Sequence, residues 1–482
     1  MYKRQSQAFA ALAALIALAA VQAFAAAHTE LSPDEAYYLL WSRHLAWGYY
    51  DHPPMVAAWI AVSRGLFGDS PLGVRMLGIL GGLAGAAASA RIAWRLWRDP
   101  RVAAFAALLF TAPLLLAAGA IIATPDVPLV FFWTLGLLAL AEVDAGAGGG
   151  AWLLFGLALG GACLSKFTGA FLGAGAGLAL LVTPRLRPWL TRPHPYAAAA
   201  LAAAMAAPFI LWNAENGWVT FAKQLARVPV RSFSPRYFPE FLGAQVGLFN
   251  PLLAAVAAAG LRGSRADGGR RLLIASIAPA LLYFAFHATH ARVQANWLAP
   301  LYPAGIALAA QTAAAATQGW RLAAARWSAP LGIAATALAA VQAVYAPLAL
   351  GVVDPTLQLV GWRALAESVA ARAHEQGASV VLTQGYALTA ELKLNGPAEV
   401  AFEQPDERAR WSAIAPAPAP LAGPALAMSR QGTGFADGLA KRFRDVTPLA
   451  PIARARGGQT AEVYDVWRVA DPIGGPQGAI GP

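Results

Sequence analysis

The sequence predicts a mainly α-helical, polytopic membrane protein that ends in a small α/β domain. Three observations predict it. Of 482 residues, 58% are hydrophobic and only 13% charged, whereas soluble domains carry about 25% charged residues, and mean hydropathy is +0.50. Eleven stretches lack Asp, Glu, Lys and Arg altogether: 5–27, 76–90, 102–125, 127–141, 151–165, 167–184, 196–214, 241–261, 272–291, 293–320 and 327–353. Beyond about residue 354 the character changes: 12 of the 36 Lys and Arg lie there, with no long apolar run.

A spanning helix needs roughly 20 apolar residues. The shortest runs must borrow flanking residues, so about 11 transmembrane helices are expected. The first run follows Lys3 and Arg4 and carries Ala-Phe-Ala at 23–25, in the manner of a signal peptide. A retained first helix is expected instead, because a polytopic chain follows. With the N-terminus cytoplasmic, fifteen Lys and Arg of residues 1–353 fall inside and nine outside, the bias that loop charge normally shows. Eleven crossings then place the C-terminal region outside. The domains are expected at 1–353, in the membrane, and 354–482, soluble.

The net charge of +11 is what basic cytoplasmic loops produce, so it does not indicate nucleic acid. The single cysteine, Cys163, lies in an apolar run. It excludes an internal disulfide and any zinc-finger spacing.

Three outer segments are too long for turns. In 28–75, Ser32-Pro33-Asp34-Glu35 reads as a helix start, with Ser at the cap, Pro at the first position and acids in the first turn. Tyr37, Tyr38, Leu40, Trp41 and Leu45 follow at rough helical spacing, and Pro53-Pro54 opens a second helix with Met55, Trp59, Ile60 and Val62. Both are expected to lie along the membrane, where Tyr and Trp suit the boundary. The second segment, 213–240, carries Trp218, Lys223, Arg227, Arg231 and Arg236. In the last segment, 362–376 and 387–394 read as helices, 379–383, 398–402 and 461–469 as strands, and the Ala- and Pro-rich 413–424 as a loop.

Ionisable groups at membrane depth are costly and mark function. Asp34-Glu35 stands near Asp51-His52. A base that takes a proton from a hydroxyl must be an ionised carboxylate or a neutral His. Adjacent helical residues point about 100° apart, so Asp34 and Glu35 cannot both face one substrate; one would support the other or bind a metal. Simple capping by acids is the competing account. Thr124-Pro125-Asp126-Val127-Pro128 places one carboxylate between two apolar runs. It is either a structural turn or a group that orients a substrate or cation. Lys166, Lys223, Arg227, Arg231, Arg236 and Arg292 form an outer basic set suited to phosphate; snorkelling to lipid headgroups is the alternative. His52, His287 and His290 are polar boundary residues or metal ligands, and no metal-binding spacing is present. A divalent metal is left open.

Ser32-Pro33-Asp34-Glu35-Ala36-Tyr37-Tyr38 followed by Tyr49-Tyr50-Asp51-His52-Pro53-Pro54-Met55 resembles the first outer loop of the protein O-mannosyltransferase and aminoarabinose transferase superfamily. The similarity continues through Thr124-Pro125-Asp126, Ser165-Lys166-Phe167-Thr168-Gly169, Trp212-Asn213-Ala214-Glu215-Asn216-Gly217-Trp218 and Ala295-Asn296-Trp297-Leu298-Ala299-Pro300-Leu301-Tyr302-Pro303. It covers most of 30–305 and weakens in the C-terminal domain. The resemblance implies a GT-C fold and a glycosyltransferase, hexosyl or pentosyl, that uses a polyprenyl-phosphate (undecaprenyl-type) sugar as donor and an envelope lipid or glycan as acceptor. It implies Asp34 as catalytic base and Asp126 as a second acid; Glu35, adjacent to Asp34, is counted with them among the catalytic candidates. Lys166 would stand near the carrier phosphate, joined on charge and side by Lys223, Arg227 and Arg292; Tyr37, Tyr50 and His52 are the motif residues expected to line the substrate. A transporter or flippase would show a two-fold hydropathy repeat and mid-membrane charges, and a sensor would carry a signalling module; neither feature is present in the sequence.

Overall fold

A computed structural model describes residues 2–226, 232–262, 267–415, 421 and 423–473. The chain forms two compact units: Met1–Ala26 with Asp51–Ala340, and Ala27–Tyr50 with Val341–Pro482. The second thus joins residues 27–50 to the segment that begins at Val341.

The first unit is helical. Among the described residues six helices are long and apolar enough to cross a membrane: Phe9–His28, Pro71–Trp97, Asp126–Asp144, His194–Glu215, Gly268–His287 and Trp320–Tyr345. The helices Tyr237–Phe249 and Pro251–Leu261, bent by 106°, make a seventh when the pair is counted as one span. The eleven apolar runs do not all become long helices: Pro100–Leu109, Gly150–Ser165 and Phe167–Val182 are shorter apolar pieces, as is Met55–Phe67. The fold is nevertheless mainly helical and polytopic in character, as expected.

The bend has a local cause. Asn250 sits at φ 80° and is followed by Pro251, which cannot continue the previous helix. The Asn250 side chain accepts from the Leu252 and Leu253 N–H groups and donates to the Ser328 carbonyl at 3.0 Å, so the broken ends are satisfied internally, as a membrane interior demands. Elsewhere small residues let helices touch backbone to backbone. A Cβ at Gly175 would lie 2.0 Å from the Ser276 carbonyl oxygen, and one at Gly156 2.7 Å from that of Ala198. Trp133, Leu137, Leu140, Trp152, Leu172 and Phe284 are buried between these helices, whereas Leu153, Leu157, Leu211, Leu282 and Phe286 are exposed, an apolar outer face.

The second unit is built on a five-stranded sheet: β1 (Val380–Thr383), β2 (Ala401–Glu403), β3 (Ala425–Arg430), β4 (Phe443–Arg456) and β5 (Gln459–Pro472), in the order β2-β1-β3-β5-β4. β1 is parallel to β2 and β3, and β5 is antiparallel to β3 and β4. Alternation decides the faces. Val381, Leu426, Met428, Tyr464 and Val466 pack with Trp362, Val369 and Leu392 of the helices Trp362–Glu375 and Tyr386–Asn395. Leu382, Ala425, Ala427 and Val469 pack with Phe435 and Leu439 of the helix Phe435–Ala440.

Expected helices at 362–376 and 387–394 and strands at 379–383, 398–402 and 461–469 form within a few residues of those limits. β3 and β4 were not anticipated. Ala-Leu-Ala-Met is made of helix formers, and Pro448 and Pro451 argue against a central strand. β4 is the sheet edge, where Pro is tolerated, and its register shifts between Leu449 and Ile452. The two helices expected in the first outer loop also form, at Pro33–Arg43 and Met55–Phe67, and they belong to different units.

Candidate active site

In the first unit three interruptions of apolar helix meet. Asp126 opens the helix Asp126–Asp144 just after Pro125. Lys166 ends the helix Gly150–Ser165 in an extended conformation, and a 3₁₀ turn, Phe167–Gly169, leads on to the next helix. That turn needs glycine: a Cβ at Gly169 would stand 2.3 Å from the Ala162 carbonyl. Asn296 lies in a second 3₁₀ segment, Ala295–Leu301. The Lys166 Nζ donates to Asp126 Oδ1 at 2.8 Å, and the Asn296 Nδ2 donates to Asp126 Oδ2 at 2.7 Å. The ion-paired side chains are only 13% and 14% exposed.

Each Asp126 oxygen therefore holds one donor. Lys166 has three N–H groups, of which this contact uses one. The pair fixes an ammonium beside a non-helical backbone segment, where it can meet an anion without first being ordered.

The second unit contains the other acids. Ser32 caps the helix Pro33–Arg43 in a capping box: Glu35 Oε2 accepts from the Ser32 N–H at 2.9 Å and from its hydroxyl at 3.0 Å, and Ser32 Oγ accepts from the Glu35 N–H at 3.4 Å. Glu35 is fully buried in this role. Asp34, half-buried on the adjacent face, accepts from the Tyr386 hydroxyl at 2.7 Å. As the spacing argument requires, the two acids have different surroundings.

Arg410 is the centre of an aromatic cluster in this unit. Its guanidinium lies 4.7 Å from the ring of Tyr386, 4.8 Å from Tyr50 and 5.8 Å from Tyr37, and it pairs with Glu407 at 2.7 Å. Tyr37 is buried, and its hydroxyl donates to the Arg410 carbonyl at 3.4 Å. Trp41 stacks on Tyr49 at 4.1 Å, and burial pushes the Tyr49 phenol up to about 12. Behind this layer Glu391 is almost wholly buried. Burial, then the charges of Glu30 and Glu35, raise its carboxyl well above the usual carboxylate range, against the opposing pull of Arg454.

Of the remaining candidates, His52 and Lys223 are partly buried in the first unit. Arg292 is 74% exposed and pairs with Glu240 at 2.6 Å, a surface ion pair. Arg227 and Arg231 fall outside the described residues. Among the described residues no group of three His, Cys, Asp or Glu is placed to hold a metal ion. The structure thus joins Asp126 to Lys166 in one unit, and collects Asp34, Glu35, Tyr37 and Tyr50 in the other. Sequence reasoning assigned no role to Asn296, although it lay within a recognised motif. Tyr386 and Arg410 gave no signal, because only folding brings them to the first loop.

The sequence pattern of the family described as dolichyl-phosphate-mannose-protein mannosyltransferase matches residues 51–212. The lipid A galacturonosyltransferase RgtD of Rhizobium johnstonii is 30% identical over 287 residues, 58% of this chain and 60% of that protein. The undecaprenyl phosphate-alpha-4-amino-4-deoxy-L-arabinose arabinosyl transferase of Pseudomonas aeruginosa is 33% identical over 130 residues, 26% of this chain and 24% of that protein. The chain thus spans less than two thirds of the length of either relative. Among solved structures, ArnT from Cupriavidus metallidurans bound to undecaprenyl phosphate superimposes with a TM-score of 0.64 at 20% identity, covering 97% of this chain and 99% of that one. The apo form gives the same TM-score, 0.64, at 18% identity. The likeness shows a shared fold.

Proposed function

We propose that this chain, whose fold and sequence are similar to those of the protein O-mannosyltransferase and aminoarabinose transferase superfamily, belongs to it and transfers a glycosyl group from a polyprenyl-phosphate sugar to an envelope lipid or glycan. The carrying observation is the Asp126–Lys166–Asn296 cluster, a fixed ammonium among apolar helices. The names of the relatives supply the chemical class: one acts on lipid A, and the other carries undecaprenyl phosphate in its name.

In this reading the acceptor hydroxyl attacks the anomeric carbon, the bond from that carbon to the phosphate oxygen breaks, and polyprenyl phosphate leaves with the bonding pair. Configuration inverts. Asp34 takes the hydroxyl proton, and its hydrogen bond from Tyr386 holds the carboxylate in one orientation. The leaving phosphate is already anionic, so it needs charge stabilisation more than a proton. Lys166 supplies this, held in place by Asp126, and Lys223 is the next cation assigned to the donor. Glu35 holds the helix start that presents Asp34, while Tyr37 and Tyr50 hold Arg410. The protein would sit in the bacterial inner membrane with a cytoplasmic N-terminus, and the second unit would face the periplasm.

The test compares envelope lipids and polyprenyl-phosphate sugars by mass spectrometry in strains carrying wild type, Asp34→Asn, Tyr386→Phe or no gene. One glycosylated species should vanish, and a polyprenyl-phosphate sugar accumulate, in the null and Asp34→Asn strains. Tyr386→Phe should retain partial transfer. Full transfer by a folded Asp34→Asn protein would overturn the base assignment. A null strain with unchanged lipids and glycans would overturn the transfer reading itself.

A further inference from the structure

The second unit contains a feature that the transfer chemistry does not use. The chain leaves β1 through the helix Tyr386–Asn395 toward β2 on one side, and leaves β3 through the helix Phe435–Ala440 toward β4 on the other. Where the connections from adjacent parallel strands diverge, the carboxyl ends of those strands leave a crevice, and ligands of open α/β sheets bind there. A depression of about 130 Å³ occupies this place, lined by Leu382, Gln384, Asp406, Phe435, Leu439 and Arg442 among others.

Its polar groups are incompletely used. Arg442 gives one Nη to Asp406 at 2.7 Å. Its other Nη and the Oε1 of Gln384 are buried atoms without a hydrogen-bond partner in the protein. Such an atom is costly to leave unpaired, and native folds keep few of them. Here the two residues that carry a lone acceptor and a lone donor line one depression, which argues for a ligand carrying both a donor and an acceptor.

The geometry points to a carbohydrate site that holds a single neutral sugar unit. Hydroxyl groups donate to Gln384 Oε1 and to the Asp406 carboxylate. A hydroxyl or ring oxygen accepts from Arg442. The apolar C–H face of the ring lies against Phe435, Leu382 and Leu439. Asp406 already balances the guanidinium charge, which disfavours a phosphate. The site employs neither Asp34, Asp126 nor Lys166, so it stands apart from the proposed reaction.

The test uses the full-length protein in detergent, without donor lipid. Methyl hexosides and inorganic phosphate are titrated by calorimetry and by saturation-transfer NMR. At least one neutral hexoside should bind saturably, at roughly millimolar strength, and phosphate should not displace it. Gln384→Met, Arg442→Met and Asp406→Asn should each weaken it about tenfold or more, while Asp34→Asn leaves it unchanged. Asp406 is half-exposed, so its variant reports even if Gln384→Met folds poorly. The proposal is overturned if no hexoside saturates, if binding survives in the folded variants, or if phosphate competes.

Discussion

Replacing Asp126 by Asn should destabilise the protein by several kcal/mol, and removing Lys166 as well should recover part of the loss. The carboxylate accepts two hydrogen bonds, at 2.8 Å from Lys166 and 2.7 Å from Asn296. Bonds to a charged group contribute about 1.5–3 kcal/mol each. Removing one partner of a buried ion pair costs about 3–5 kcal/mol, because the other charge stays behind uncompensated. With both side chains about six-sevenths covered, solvent screening reduces this little, and a loss of roughly 3 kcal/mol is expected. In a domain of 150–250 residues that corresponds to about 6–12 °C, and in a longer chain to less. The assay is the melting temperature of the purified protein in one detergent at one scan rate. Asp126→Asn should melt several degrees below wild type, and Asp126→Asn with Lys166→Met should melt above the single variant. If the single variant melts with wild type, or the double variant gains nothing, the pair does not hold these breaks together. Asp126 would then have to be explained through substrate alone.

Two other acids allow sharper separations. A capping box accepts Gln at its third position as well as Glu, so Glu35→Gln should keep both melting temperature and transfer activity; a loss of a hundredfold or more in turnover, with folding intact, would make Glu35 a chemical participant. Glu391 has a raised folded-state pKa, so its contribution to stability is full below the unfolded value of about 4.5 and is lost as pH rises toward the folded value. Glu391→Gln should therefore gain on wild type in melting temperature between pH 5 and pH 8, and parallel curves would refute the burial of a carboxyl that resists ionisation.

Much of this was legible along the chain, and the missing part is physical in kind. The start at Ser32 is a local matter of caps and acids, and it formed as read. Asp126 and Lys166 were visible as lone charges in apolar sequence, but their pairing spans 40 residues and no local pattern encodes it. The run at 241–261 reads as one span; Asn250-Pro251 was the turn signal inside it, and one of the bonds that hold the bend, from the Asn250 side chain to the Ser328 carbonyl, reaches far along the chain. Tyr386 reaches Asp34 across 352 residues, and nothing local marks a tyrosine for that contact. β3 and β4 went unread because burial on both faces and an edge position overrule what their residues prefer alone.

The ion pairs at the two ends of the helix Asp126–Asp144 differ in their backbone setting, and the difference supports the proposal that places the chemistry at one of them. Glu142 pairs with Arg91 at 2.8 Å and with Arg95 at 2.6 Å, bonds as short as those of Asp126. The two acids lie 16 residues apart on one helix, about 24 Å along its axis. All three residues of the Glu142 cluster sit inside regular helices, so their backbone is satisfied whether or not the charges meet, and basic residues at that end are what loop charge alone would place there. The Asp126 cluster stands instead on a helix start, a helix stop and a 3₁₀ segment. Irregular backbone within apolar surroundings is costly, and membrane proteins retain it where it lines a site. A purely structural clamp could have been built on helix faces, as the Glu142 cluster is. The three breaks fit the proposal that the ammonium is presented to something the helices themselves would cover.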